Sequence, residues 1–175
     1  MLTVADWSAL PDTKPHYELL QGQLVQKPMT KRKRSKAATQ LLVECVIWGR
    51  ASGWQFFAEG TGTRIDERNG FVPDVAGIAP GQAFNPEAAV ETFAPAFVAE
   101  VLPRRTAKAD RTTKRDGYAR IGVQTYVLVD TEKKTLGVYP LEGETYGPPL
   151  TLRDDAVWEP DALPGLRVEL TRLWF

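Results

Sequence analysis

The pattern of apolar and polar positions divides the chain into segments of helical and of extended periodicity. Apolar residues recur at three- and four-residue steps from about 35 to 51, which predicts a long helix that Gly53 ends. A short helix is predicted over 3–10, and a polar helix over 109–122. Each of these segments is separated from the next by residues with the alternation of strands.

Alternation on both sides of Gln21-Gly22 predicts a β-hairpin over 17–28. Longer strands are predicted at 53–66, with a break at Gly60-Thr61-Gly62, and at 71–79, 94–103 and 124–130, and shorter ones follow through the C-terminal segments, including 166–175. The strand at 94–103 is strongly apolar, as is typical of a central strand. The order of helix, strands, helix and strands predicts one α/β (α+β) domain over 1–175, with a mixed central sheet flanked by helices.

Composition excludes several classes of protein. The 22 basic and 22 acidic residues balance, so nucleic-acid binding would require a local basic patch. No apolar run approaches the length of a membrane span, and we expect no membrane association. The single cysteine, Cys45, lies among apolar residues, which predicts a buried thiol and a cytoplasmic protein. One histidine and one cysteine make a Cys/His zinc site within one chain untenable.

Two apolar strands each carry one acid, Asp74 in VPDVAGI and Glu100 in FVAEVL. An unpaired buried carboxylate costs several kcal/mol, so each acid needs a cation, a hydrogen-bond donor or a raised pKa. If the strands are neighbours, both carboxylates can reach one ion, and oxygen ligands favour Mg²⁺ or Mn²⁺. The alternative is that one or both acids accept backbone hydrogen bonds at a strand end.

The predicted helix after Glu100 carries Asp110, Lys114 and Tyr118 at four-residue steps, hence on one face. These residues are also consistent with an ordinary surface ion pair. Two acids, a divalent metal and a lysine suit phosphodiester hydrolysis, in which the lysine orients the attacking water or offsets developing charge. A glycosidase would use the two acids but leave the lysine without a role.

Basic residues occur in two clusters. The segment TKRKRSK at 30–36 precedes the long helix and contributes Lys31, Arg32, Lys33 and Arg34, while PRRTAK at 103–108 follows Glu100 and contributes Arg104, Arg105 and Lys108. Both clusters are candidates for contact with the nucleic-acid backbone. The ordinary alternative is a solvated charge run. Cations at a helix N-terminus oppose the helix dipole, which favours a role other than helix stability for the first cluster.

These motifs, in this order and spacing, resemble the Uma-two family, a group of candidate restriction endonucleases in the PD-(D/E)xK nuclease superfamily. The resemblance extends from about residue 15 to the segment LPGL near the end. It is carried by YELLxGxLV at 17–25, VPDV at 72–75, VAEVL at 98–102, Asp110-x3-Lys114-x3-Tyr118-Ala119, and GVxxYxLVD at 122–130.

The resemblance implies a restriction-endonuclease-like core in which Asp74 and Glu100 hold the metal. The usual superfamily lysine would stand two residues after the second acid, where this chain has Leu102. The family places the lysine in the next helix, which here is Lys114. Glu18 matches a family acid that supports the site from further away, although an ordinary glutamate at a strand edge fits equally well.

Three functions are therefore compatible with the sequence. The first is a Mg²⁺- or Mn²⁺-dependent DNA endonuclease that acts as a homodimer, since relatives of this architecture often pair to reach both strands. The second is a non-catalytic module that binds nucleic acid or protein on a nuclease scaffold, a reading that Leu102 supports. The third is a metal-dependent hydrolase of small phosphate esters.

Overall fold

The computed structural model describes residues 1–11, 16–27, 30–102 and 107–175, without the side chains of 107–111. The helices are α1 (Val4–Ser8), α2 (Arg32–Ser52), α3 (Ala107–Arg120) and a 3-10 helix (Leu170–Leu173). The strands are β1 (Tyr17–Leu20), β2 (Gln23–Gln26), β3 (Gln55–Ala58), β4 (Gly62–Arg64), β5 (Gly70–Phe71), β6 (Val75–Ile78), β7 (Val90–Glu91), β8 (Phe97–Val101), β9 (Thr125–Asp130), β10 (Thr135–Glu142), β11 (Thr145–Tyr146), β12 (Leu150–Arg153), β13 (Val157–Trp158) and β14 (Val168–Glu169).

Two large sheets and a two-stranded antiparallel sheet, β13-β14, organise the described residues. The larger has the order β11-β10-β9-β8-β6-β3, with β12 also paired to β10, and β8 and β9 are parallel while its other pairs are antiparallel. The smaller has the order β2-β1-β5-β4-β7. The larger sheet is therefore mixed, as predicted, and β8 lies in its interior between β6 and β9.

Helix α2 packs against one face of the larger sheet. Ala37, Leu41, Cys45 and Gly49 are buried at four-residue steps, which gives the helix one apolar stripe. The helix ends at Gly53, whose φ of 77° is the left-handed conformation that glycine adopts without a steric penalty. The predicted buried thiol of Cys45 is confirmed, and burial raises its pKa to about 12.

Helix α2 begins three residues earlier than the sequence pattern predicts. Residues 32–34 are polar, so apolar periodicity cannot place them in a helix, yet they form its first turn. Residues 32–36 of the basic segment thus lie within the helix rather than before it. Lys31 is the N-cap residue, and its side chain makes no capping hydrogen bond.

The strands predicted over 53–66 and 71–79 are each divided between the two sheets. β3 and β6 pair in the larger sheet, whereas β4 and β5 pair in the smaller one. The first division falls near the predicted break at 60–62, and the second falls at 72–74. The segment 71–79 looks continuous in the sequence because apolar residues stand on both sides of the crossing at 72–74.

Side chains of β8 alternate between two cores. Phe97, Ala99 and Val101 pack in the cluster that contains α2, while Val98 packs in the cluster that contains Tyr118 of α3. Glu100 has the same parity as Val98 and so projects toward α3. This alternation places a buried acid under α3, where a lysine can reach it.

The C-terminal segment differs from the prediction of a strand over 166–175. Only Val168–Glu169 forms a strand, and the 3-10 helix follows with Leu170 and Leu173 buried against the α2 side of the core. Among the described residues, no helix has both the length and the hydropathy required to cross a bilayer.

Candidate active site

The candidate site lies where the chain crosses from the smaller sheet to the larger one. The crossing consists of Val72-Pro73-Asp74, between β5 and β6. Pro73 has no N–H to donate, so a sheet ladder cannot continue through it. Asp74, the acid that interrupts the apolar run, therefore lies between the last paired residue of the smaller sheet and the first paired residue of the larger one.

Asp74 is hydrogen-bonded to the neighbouring strand. The register pairs Val75 with Ala99, so an extension of β6 would place Asp74 opposite Glu100. Instead, Asp74 Oδ2 accepts a hydrogen bond from the Val101 backbone N–H at 2.7 Å. Part of the alternative interpretation is therefore correct, because Asp74 does accept a backbone hydrogen bond at a strand end.

The second oxygen of Asp74 contacts Lys27, which directly follows β2. Lys27 Nζ donates to Asp74 Oδ1 at 2.8 Å and to the Val72 carbonyl at 2.8 Å. It also lies 3.2 Å from Glu59 Oε1. The side chain of Lys27 is only 11% exposed, so this ammonium group is held among oxygens rather than solvated.

Glu100, on β8, contacts two other predicted site residues, Lys114 and Tyr118, and Lys114 in turn contacts Glu18. Lys114 Nζ lies 3.2 Å from Glu100 Oε1 and 2.7 Å from Glu18 Oε1. The Tyr118 hydroxyl donates to Glu100 Oε1 at 3.0 Å. Because Lys114 and Tyr118 lie one helical turn apart on α3, both reach the same carboxylate, as the four-residue spacing predicts.

Lys114 is not a surface residue. Its side chain is 14% exposed, and the side chains of its two acidic partners are each 9% exposed. The interpretation of Lys114 as half of an ordinary surface pair is therefore wrong. Glu18 is also buried and lies on β1, between β2 and β5 in the smaller sheet, which contradicts its interpretation as an ordinary glutamate at a strand edge.

The two acid–lysine groups are joined through the peptide units of the crossing. Glu18 Oε1 accepts a hydrogen bond from the Val72 N–H at 2.9 Å, and the Val72 carbonyl accepts one from Lys27 Nζ. Asp74 Oδ2 accepts a hydrogen bond from the N–H of Val101, the residue that follows Glu100. The carboxylates of Glu18, Asp74 and Glu100 thus belong to one continuous polar network.

Burial and charge act against each other in this network. Burial raises the pKa of Glu100 to about 7, although Lys114 counteracts part of the rise, and the charge of Asp74 adds to it. Burial disfavours the charged form of Lys114, but Glu100 and Glu18 outweigh that cost and raise its pKa. Burial lowers the pKa of Lys27, but the charges of Asp74 and Glu100 outweigh that effect and raise it. Both lysines therefore remain protonated.

A cleft of about 640 Å³ opens beside Asp74. Its walls come from the start of α2, the end of β3 and the segment after β2, and they include His16, Lys27, Arg34, Glu59, Asp74 and Val101. Glu18, Glu100, Lys114 and Tyr118 are absent from its described walls. The described walls of the cleft therefore include Asp74 and Lys27 of the polar network, but not its Glu100–Lys114 part.

The donor set of the site fits a hard divalent cation. Asp74 and Glu100 offer carboxylate oxygens from adjacent strands, and Mg²⁺ commonly binds one or two carboxylates while keeping several waters. In the described part of the chain, no three His, Cys, Asp or Glu side chains are arranged to hold a metal by themselves. A bound ion would accordingly need water or substrate oxygens to complete its coordination.

The remaining predicted residues are distributed unevenly around the site. Lys31, Arg32 and Lys33 are exposed at the N-cap and first turn of α2, and Arg34 is half-buried in the wall of the cleft. Lys33 Nζ also lies 3.8 Å from Glu132. Arg104 and Arg105 lie outside the described residues, as do the side chains of Lys108 and Asp110.

Sequence reasoning missed Lys27 and Glu59. Lys27 follows a strand that pairs with the strand carrying Glu18, so the hairpin brings it toward the same edge. An isolated lysine before a proline carries no motif, however, and its meeting with Asp74 depends on how the two sheets join. Glu59, which immediately follows β3, gives equally little signal.

Comparison with known proteins agrees with this architecture. A sequence model of the Uma-two family, described as "Putative restriction endonuclease", matches residues 4–171. The chain belongs to the Uma-two family. The resemblance drawn from its motifs is thereby confirmed.

The fold of this Uma-two protein is similar to a solved structure. That structure is a putative nuclease belonging to DUF820 from Anabaena variabilis, with 20% sequence identity, a TM-score of 0.83, and coverage of 99% of this chain and 97% of the other. The restriction-endonuclease-like fold is confirmed on this basis. No curated protein matches the chain. Family membership supports a nuclease function in general terms.

Proposed function

We propose that this Uma-two protein is a Mg²⁺- or Mn²⁺-dependent endonuclease that hydrolyses DNA phosphodiester bonds. The observation that carries the proposal is the position of Asp74 and Glu100. The first precedes β6 and the second lies on β8, and Asp74 hydrogen-bonds the residue next to Glu100. Lys114 contacts Glu100 from the following helix. The family and the fold support the same class of reaction.

Asp74 and Glu100 would hold the metal, which when bound supplies a more acidic water and charge stabilisation at the phosphate. Lys114 holds a positive charge against Glu100 and Glu18 and so fixes the orientation of both carboxylates. Tyr118 donates to the same Glu100 oxygen and restricts its rotamer. In this assignment Lys114 compensates for the Leu102 that stands where the superfamily usually has its lysine.

The substrate would approach along the cleft beside Asp74. Arg34 lines this cleft, and the exposed cations Lys31, Arg32 and Lys33 lie at the N-cap and first turn of the same helix, α2. Phosphate contacts of this kind position DNA without reading its sequence. Arg104, Arg105 and Lys108, which follow Glu100 in sequence, are proposed as further phosphate contacts. A homodimer would present two such sites, one to each strand.

The test is nicking of supercoiled plasmid by purified protein with Mg²⁺ or Mn²⁺. Asp74→Asn keeps the size of the side chain but loses its charge, and Lys114→Ala removes the proposed positioning cation. Each is expected to lower the nicking rate by about 100-fold or more. Lys133→Met, a change on the exposed turn between β9 and β10, is the matched control and should retain wild-type activity.

Equal nicking by wild type, Asp74→Asn and Lys114→Ala would show that the activity comes from other residues or from a contaminant. EDTA should abolish the wild-type activity. Persistence of nicking in EDTA at the same rate would contradict the metal requirement directly.

A second candidate function is a non-catalytic module that binds nucleic acid or protein on a nuclease scaffold. It is favoured by the observation that both proposed metal-binding acids already contact ammonium groups of the same chain, Lys27 at Asp74 and Lys114 at Glu100. Calorimetric titration with Mn²⁺ separates the two functions. Absence of binding with and without duplex DNA would favour the module.

A further inference from the structure

Lys27 occupies the position at Asp74 where a metal ion would compete for oxygen. Its ammonium group lies 2.8 Å from Asp74 Oδ1, 2.8 Å from the Val72 carbonyl and 3.2 Å from Glu59 Oε1. Three oxygens around one buried cation are the kind of environment that a hard cation also favours. The proposed endonuclease function assigns no role to Lys27.

Asp74 and Glu100, the two proposed metal-binding acids, differ in which of their carboxylate oxygens accept the described hydrogen bonds. Asp74 Oδ2 is bonded to the Val101 N–H and Oδ1 to Lys27, so each oxygen already accepts a hydrogen bond. Within the described part of the chain, both hydrogen bonds to Glu100 go to Oε1. The backbone contact of Asp74 is fixed by the sheet, whereas Lys27 is held by a flexible side chain that lines the cleft.

We propose that Lys27 is an intrinsic competitor for the metal site, a cation that must leave Asp74 Oδ1 before a divalent ion can bind there. The inference rests on the proposed function, because it assumes that Asp74 is a metal ligand. The charges agree with it. Glu18, Glu59, Asp74 and Glu100 surround Lys27 and Lys114, so that within this group of six the acids outnumber the ammonium groups.

The site has room for the displaced lysine. The cleft of about 640 Å³ adjoins Lys27, and the four-carbon stem allows the ammonium group to move into it while the backbone stays bonded to His16. Lys27 would then add a positive charge to the side of the cleft proposed to receive DNA. Metal binding would thus be weak in the resting protein and stronger once Lys27 is removed or displaced.

The experiment measures the Kd for Mn²⁺ by calorimetry, without DNA, in the full chain. Lys27→Met removes the charge and keeps a side chain of similar length, and Lys27→Gln is a second neutral variant that can still hydrogen-bond the Val72 carbonyl. We expect both to bind Mn²⁺ about tenfold more tightly than wild type, which equals about 1.4 kcal/mol. Lys27→Arg and the surface control Lys133→Met should keep the wild-type Kd.

A purely structural role for Lys27 predicts the opposite result, since a damaged site binds metal more weakly. The double variant Lys27→Met/Asp74→Asn should lose the added affinity, which assigns the gain to Asp74. Thermal unfolding with and without Mn²⁺ gives a second readout, because the tighter-binding variants should show the larger stabilisation by the ion.

The outcomes separate this inference from the function on which it rests. If the neutral Lys27 variants bind Mn²⁺ no more tightly than wild type, and Asp74→Asn still abolishes binding, the competitor role is overturned while the metal site stands. If neither wild type nor any Lys27 variant binds Mn²⁺, the metal-dependent function fails, and the inference fails with it.

Discussion

Glu100 combines burial with two donors on one oxygen, which makes its ionisation depend strongly on pH. Burial raises its pKa to about 7 from an ordinary value of 4.5. Since the folded-state pKa lies above the unfolded one, the group contributes stability that is fully present below about pH 4.5. That contribution is lost as the pH rises through about 7.

We therefore expect Glu100→Gln to gain stability relative to wild type as the pH rises from 4.5 to 7.5. The difference should amount to at most about 3–4 kcal/mol, because the pKa is about 7 in the folded protein and 4.5 in the unfolded chain. Urea unfolding in EDTA at several pH values measures it. Parallel stability profiles for the two proteins would contradict the raised pKa.

Lys114 compensates two buried carboxylates, so its loss should be costly to stability as well as to activity. Lys114→Met would leave Glu18 and Glu100 facing each other without a cation, and removing one partner of a buried pair typically costs about 3–5 kcal/mol. Urea unfolding at neutral pH is the measurement. Adding Glu18→Gln should recover part of the loss, and failure to do so would show that packing of the lysine stem dominates.

At the level of secondary structure, the approach of α3 to the smaller sheet decides whether Lys114 can reach its partners. Gly117 makes this approach possible. A Cβ atom at that position would lie 2.7 Å from Phe71 Cε2 and 3.3 Å from Ile65 Cγ2. Phe71 in turn packs edge-on against Tyr118, with ring centroids 5.5 Å apart.

We expect Gly117→Ala to destabilise the protein by about 1–2 kcal/mol, although alanine is the better helix former, because the contact with Phe71 must open. The same displacement should lower plasmid nicking by moving Lys114 away from Glu100. Combination with Phe71→Leu, which reduces the volume at the contact, should restore part of both. A stabilised and fully active Gly117→Ala protein would show that α3 can shift without consequence.

The position of helix α2 also depends on its contact with a sheet. Its apolar stripe is weak but regular, and it suffices to place the helix on the larger sheet. Its basic first turn opposes the helix dipole and has no N-cap hydrogen bond from Lys31. Those residues are therefore not explained by helix stability, which agrees with their proposed contact with phosphate.

For the whole molecule, the proposed pairing of two copies predicts a mass that can be measured. Light scattering on the chromatographically purified protein should give about twice the 19.5 kDa of one chain. The expectation follows from the need for one site at each strand of duplex DNA. A mass of one chain at all concentrations, with double-strand cleavage retained, would contradict the paired arrangement.

The prediction of fold from sequence succeeded where periodicity and local burial coincide. The hairpin at 17–28, the core of α2, the central strand β8 and strand β9 follow from local patterns. The divisions of 53–66 and 71–79 between two sheets were not predicted as sheet crossings. An apolar run has the same pattern whether its ends pair with one sheet or with two.

For the candidate site, the chain by itself determined the identity and spacing of Glu18, Asp74, Glu100, Lys114 and Tyr118. Helical and strand periodicity fix which face each side chain takes, and the motifs fix the family. Only the tertiary structure decided that Lys27 meets Asp74 and that Lys114 is buried between two acids. Such contacts join residues up to 96 positions apart, and they depend on how two sheets and a helix pack, which no local pattern encodes.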